Sequence, residues 1–111
     1  MATFVHDGNS IDYTPGADVV AGAVVVQGDL IGVVRTPIAA STLGSLAVTG
    51  VFDVPKTAGV GEAITAGAKV YWDVADAVAK TDDESGANKY LGKTVAAAGD
   101  DDTTVRVRLE Q

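Results

Sequence analysis

The stretch Thr104-Val-Arg-Val-Arg-Leu109 alternates apolar and polar side chains without a break, Val105, Val107 and Leu109 against Thr104, Arg106 and Arg108. A period of two puts one set on each face of a β-strand. Runs rich in valine and threonine, bounded by Gly, Asp, Pro or Ser, recur along the chain. They predict further strands at 3–6, 10–13, 23–27, 30–35, 45–54, 69–73, 77–81 and 90–97. Asp7-Gly8-Asn9 is placed to turn the first strand into the second, and Gln27-Gly28-Asp29 leaves a hairpin-length gap. Pro55 ends the long central strand, since it has no N–H to give a ladder. Only 61–66 invites a helical turn, and the glycines at 59, 61 and 67 hold it to one. Val74-Ala-Asp-Ala-Val-Ala reads either as part of a hairpin or as one helical turn.

The pattern also repeats. Val19-Val-Ala-Gly-Ala-Val-Val-Val26 parallels Ile64-Thr-Ala-Gly-Ala-Lys-Val-Tyr71, with Ala-Gly-Ala placed alike. Leu30-Ile-Gly-Val-Val-Arg follows the first copy and Tyr90-Leu-Gly-Lys-Thr-Val the second. Each half therefore reads as a strand opened by glycine, a strand with a central glycine and a long third strand, the second half carrying an extra hairpin at 74–88. The expected fold is all-β: a small barrel or sandwich of short antiparallel strands, pseudo-duplicated, which removes free edges by closing. Residues 1–16 form an extended N-terminal arm or hairpin and 17–111 a single β-domain, in keeping with the length of 111 residues.

Composition supports the class. Eighteen valines, eighteen alanines, eleven threonines and thirteen glycines stand against five leucines and one methionine, a balance that favours strands over helices. The net charge of −7 with only eight basic residues lacks the footprint of a nucleic-acid binder, and suits docking on a basic protein surface. Without cysteine there is no disulfide or thiolate metal site. No apolar run approaches the roughly 20 residues of a spanning helix, and the N-terminus has no secretion signal. The expectation is a soluble protein made in the cytoplasm, with no membrane partner.

Motifs that hint at chemistry fail on spacing. Ser85-Gly-Ala-Asn-Lys-Tyr-Leu-Gly-Lys-Thr94 resembles a phosphate loop, but five residues rather than four separate Gly86 from Gly92. Asp82-Asp-Glu84 just upstream would repel a triphosphate, and the segment after Thr94 is too short for the helix such a loop opens. No nucleotide is expected. Gly59-Val-Gly-Glu-Ala-Ile64 has Ile where a dinucleotide fingerprint needs its third glycine. His6, the one histidine, has no nucleophile fixed beside it and reads as solvated or at an interface. Asp82–Glu84 and 100–102 read as solvated hairpin tips rather than calcium loops, and no carboxylate pair stands out for glycoside chemistry. Tyr71 and Trp72 read as a core or subunit-interface anchor. Catalytic residues, metal and cofactor are all expected to be none.

Several segments, taken in order, resemble a family of small phage proteins described as capsid cement or head decoration proteins. They are Ile11-Asp-Tyr-Thr14, Val20-Ala-Gly-Ala-Val-Val with Leu30-Ile-Gly-Val-Val, and Ala47-Val-Thr-Gly-Val-Phe-Asp-Val-Pro-Lys56. Gly67-Ala-Lys-Val-Tyr-Trp-Asp73, Leu91-Gly-Lys-Thr and Val105-Arg-Val-Arg-Leu109 complete the set, which spans nearly the whole chain. Some members carry the label of phage recombinases, which the broken phosphate loop here opposes. The resemblance implies a non-enzymatic virion protein that binds the outside of an assembled head, braces the major capsid protein and sits there as a homotrimer. Capsid contact is then expected first at Phe4, Val5, His6, Ile11 and Tyr13, lying as an arm that adds a strand to a capsid subunit, and the subunit interface at Tyr71 and Trp72. An ordinary first hairpin of the domain stays open as the other reading of 1–13. The alternative function is a small β-barrel module for a glycan or host-surface ligand, which a shallow groove around Trp72 would favour.

Overall fold

The computed structural model describes residues 2–3 and 8–110. Nine strands follow in order: β1 (Ser10–Tyr13), β2 (Val24–Gln27), β3 (Leu30–Val33), β4 (Gly44–Ala47), β5 (Gly50–Pro55), β6 (Lys69–Asp73), β7 (Val78–Lys80), β8 (Lys89–Thr94) and β9 (Thr104–Leu109). They form two sheets, β1-β4-β3-β2 and β5-β9-β8-β6-β7. The pairings β1–β4, β3–β4, β5–β9, β6–β7, β6–β8 and β8–β9 are antiparallel. The all-β expectation holds, and no helix among the described residues is long and apolar enough to cross a membrane. The chain groups into two compact units. One comprises residues up to Val25 with Gly32–Thr49, the other Val26–Ile31 with Gly50 onward.

The two sheets repeat one plan. β5, β6, β8 and β9 occupy the order that β1, β2, β3 and β4 occupy, and β7 is an addition between second and third strands. The correspondence extends to single hydrogen bonds. Gly22 N donates to Val34 O at 2.6 Å and Val34 N to Ala23 O at 2.9 Å. In the second half Gly67 N donates to Thr94 O at 2.8 Å and Thr94 N to Ala68 O at 2.9 Å. Val19 bridges Ile38 as Ile64 bridges Ala98. The turn closed by Thr42 N on Ala39 O has its counterpart in Asp102 N on Gly99 O, both at 3.2 Å. The two Ala-Gly-Ala segments therefore do the same work, as the duplicated sequence pattern predicts.

Alternation decides which side chains are covered. On β9, Val105, Val107 and Leu109 are buried while Thr104, Arg106 and Arg108 are exposed. Val54, Val70, Trp72, Ala79 and Leu91 are buried on neighbouring strands of the same sheet. Each buried valine or leucine among them contributes roughly 1.5–3 kcal/mol of burial. In the first unit Val34, Ile38 and Leu46 form the core, with Ile11, Tyr13, Val19, Ala23 and Val25 packed on it. Within the second unit β5 and β7, the two ends of the sheet, come into contact, so the sheet curls toward closure.

The structure corrects several boundaries. The single central strand expected at 45–54 is two strands in different sheets, with Val48 and Thr49 between them held to Asn9 by bonds of 3.0 and 3.2 Å. Gly50 makes the transfer at φ +120°, a conformation that costs a residue with a Cβ. The strand expected at 90–97 runs from Lys89 to Thr94, and that at 77–81 is Val78–Lys80. Thr3, the described part of the strand expected at 3–6, lies outside any strand. No helical turn forms at 61–66, where turns at the glycines and the Ile64 bridge take over. Of the two readings of 74–79 the hairpin is the observed one. The Asp73 carboxylate accepts from Asp76 N at 3.1 Å, closing the turn locally, and β7 pairs back on β6.

Candidate functional site

Phe4, Val5 and His6 lie outside the described residues. Ile11 and Tyr13 sit on β1, half-buried, their side chains against the Val34, Ile38 and Leu46 core. β1 is an end strand of its sheet, paired with β4 on one side only among the described residues. Among the described residues no strand pairs with its other edge, and an edge of that kind can accept an added strand.

Tyr71 and Trp72 point to opposite faces of β6. Trp72 is 7 % exposed and lies on the buried side with Val70. It offers no open ring for sugar stacking, so the groove that would favour a glycan ligand is not formed there. Tyr71 is half-buried on the outer face and packs edge to face on Tyr90, centroids 5.7 Å apart at 61°.

That outer face gathers charge the composition does not announce. Lys69 stands opposite Lys93 on β8, and Lys93 opposite Arg108 on β9. Val51 on β5 is the next residue along the row. Arg106 meets Asp53 through two bonds, 2.9 and 3.3 Å. The guanidinium holds the Asp53 carboxyl below its ordinary range and is itself held further in its charged form. Lys80 lies between Asp73 at 2.8 Å and Asp76 at 2.7 Å, and both carboxylates raise its pKa. Burial first, and then the Glu110 charge, push the Tyr90 hydroxyl up. Six of the eight basic residues thus lie on one sheet of an acidic chain. Sequence reasoning missed this face. The alternation in β9 signals two exposed arginines, but pairing across strands is what adds the lysines.

The acidic runs act as turn closures. Asp82 and Asp83 accept from Glu84 N and Ser85 N at 3.0 and 3.3 Å. Asp100 accepts from Ala63 N and Asp102 from Gly99 N, at 2.9 and 2.8 Å. Among the described residues no three acidic or histidine side chains come together as a metal site. The segment resembling a phosphate loop is strand β8. Thr94 in it is buried, donating to Thr65 O at 2.6 Å and accepting from Ala68 N at 3.0 Å. No helix opens after it.

Against this background a family model described as phage cement protein matches residues 5–109. The chain belongs to the phage cement protein family. No curated protein and no solved structure matches it. Membership supports a structural, capsid-associated role in the phage virion and suggests a non-enzymatic one.

The ion pairs of this family member set an expected pH response. Asp73, beside Lys80, and Asp29, bonded to Lys89 at 2.8 Å, share with Asp53 a pKa held below the ordinary value of 3.8. A depressed folded-state pKa contributes stability above the unfolded value and loses it as pH falls through the folded one. Thermal unfolding followed by Trp72 fluorescence should be insensitive to these groups near neutrality. It should move to lower temperature as pH drops below about 4. Asp73→Asn should flatten that acid slope; an unchanged slope would remove Asp73 from the account.

Proposed function

We propose that the protein binds the outer surface of an assembled phage head and stabilises the capsid, as a homotrimer braced on the major capsid protein. The observation that carries this reading is the family match over residues 5–109, on a chain whose two halves repeat one four-strand plan. Short paired strands resist deformation, and many copies on a lattice turn weak contacts into strong retention. The β1 edge, with Ile11 and Tyr13 held on the core behind it, supports capsid attachment through the segment carrying Phe4, Val5 and His6. Tyr71, half-exposed on the outer face, suits a contact between copies; Trp72 would act there only by supporting the strand. The protein is made in the host cytoplasm and acts on the virion exterior.

Co-sedimentation with heads stripped of the protein, titrated to saturation, tests the proposal. Saturable binding at a fixed number of copies per capsid subunit, with heads more resistant to heat or low salt, is expected. Absence of binding to intact heads would withdraw it.

A further inference from the structure

We infer that the row Lys69, Lys93 and Arg108 is a docking surface for a carboxylate-bearing protein patch on the capsid subunits, an inference that rests on the head-binding reading. The three residues are direct cross-strand neighbours on β6, β8 and β9. With strands roughly 4.8 Å apart the row spans about 10 Å. Val51, 54 % exposed, extends it on β5 as an apolar end.

The row stands apart because two of its three cations have no ion pair among the described residues. Arg106 and Lys80 on the same sheet are matched by Asp53 and by Asp73 with Asp76. Within the row only Lys93 has an ion pair among the described residues, with Glu110 at 3.7 Å, and that carboxylate also accepts from the Tyr90 hydroxyl at 3.4 Å. Lys69 and Arg108 have no carboxylate within ion-pair distance among the described residues. Yet the chain carries fifteen acidic residues against eight basic. Like charges placed directly opposite destabilise a sheet. Three in line are unfavourable in the isolated chain and become favourable only against negative charge.

The occupant is protein rather than nucleic acid. Nucleic-acid affinity grows with the number of phosphates neutralised, and this row is short, ends in Val51 and is flanked by Asp53 and Glu110. A compact group of carboxylates fits it better, with the Arg108 guanidinium able to take one of them by both nitrogens.

The test compares binding of wild type, the triple variant Lys69→Gln/Lys93→Gln/Arg108→Gln, and Arg35→Gln, an exposed cation on another strand connection, to stripped heads across a salt series. The triple variant should bind about tenfold or more weakly at low salt, lose most of the salt dependence, and melt no lower than wild type. Arg35→Gln should bind as wild type does. Wild-type binding matched by the triple variant overturns this inference alone; failure of the wild type to bind withdraws the head-binding reading with it. An equal loss in Arg35→Gln would assign the effect to net charge and overturn the row. So would dissociation of a soluble oligomer by the triple variant, or wild-type retention on DNA that the triple variant loses.

Discussion

Gly92→Ala should destabilise the second unit by more than about 3 kcal/mol, the largest single-residue effect expected outside the core. Gly92 is buried in β8 opposite Leu109, next to the irregularity where β6 and β8 shift register. A Cβ there would overlap the backbone carbonyl oxygen of Arg108, with the Arg108 carbonyl carbon 2.9 Å away and Leu109 Cα 3.1 Å away. None of these atoms belongs to a side chain that can turn aside, so β8 and β9 would have to separate. Gly32, its counterpart in the first half, would place a Cβ 2.7 Å from Leu46 Cβ and 3.3 Å from Ala47 O. That clash is milder, and Gly32→Ala should cost about 1–3 kcal/mol. Gly16 has nothing within 4 Å, so Gly16→Ala should be neutral or slightly stabilising. Urea unfolding followed by Trp72 fluorescence reads the second unit directly. A Gly92→Ala protein with the wild-type midpoint would mean that β8 and β9 can part without loss.

The central glycines of the two third strands were visible in the sequence as a repeat, but their reason was not. Sequence spacing shows that Gly32 and Gly92 occupy like places; only the approach of the fourth strand shows why a side chain is barred. Strand positions at 10–13, 69–73 and 104–109 were legible because alternation or β-branched runs end there at clear breakers. The stretch 45–54 was not, because a run rich in apolar and β-branched residues continues while the chain changes sheets, and Gly50 was the sole local mark of the change. The same limit applies to the outer face. Lys69, Lys93 and Arg108 are far apart in sequence, and a one-residue change in strand register would scatter them to opposite faces. Trp72 shows the converse: the pair reads as a core or interface anchor, and one step of alternation puts Trp72 in the core and Tyr71 on the outer face.

Lys56→Met should cost about 2 kcal/mol, for a reason the sequence conceals. A lysine after Pro55 reads as a solvated residue beyond a strand end, yet Lys56 is 4 % exposed. Its backbone N–H bonds Thr103 O at 2.9 Å, carrying the β5–β9 pairing one step past Pro55 and Thr104. The side chain then turns so that Nζ donates to Thr57 O at 2.8 Å and to Asp102 O at 3.0 Å. Two terms oppose each other here. Taking an ammonium out of water is costly, whereas charge-assisted bonds to carbonyls are stronger than neutral ones. Methionine keeps most of the stem and removes both donors, leaving the two carbonyls without that partner, so the balance is read directly. Lys56→Ala also loses the packing of the stem and should cost about 3 kcal/mol. Because the group is covered, the loss should persist at high salt, unlike that of an exposed pair. The check is urea unfolding of wild type and both variants at low and high salt. If Lys56→Met is as stable as wild type while Lys56→Ala is not, desolvation cancels the bonds and the stem alone holds the loop.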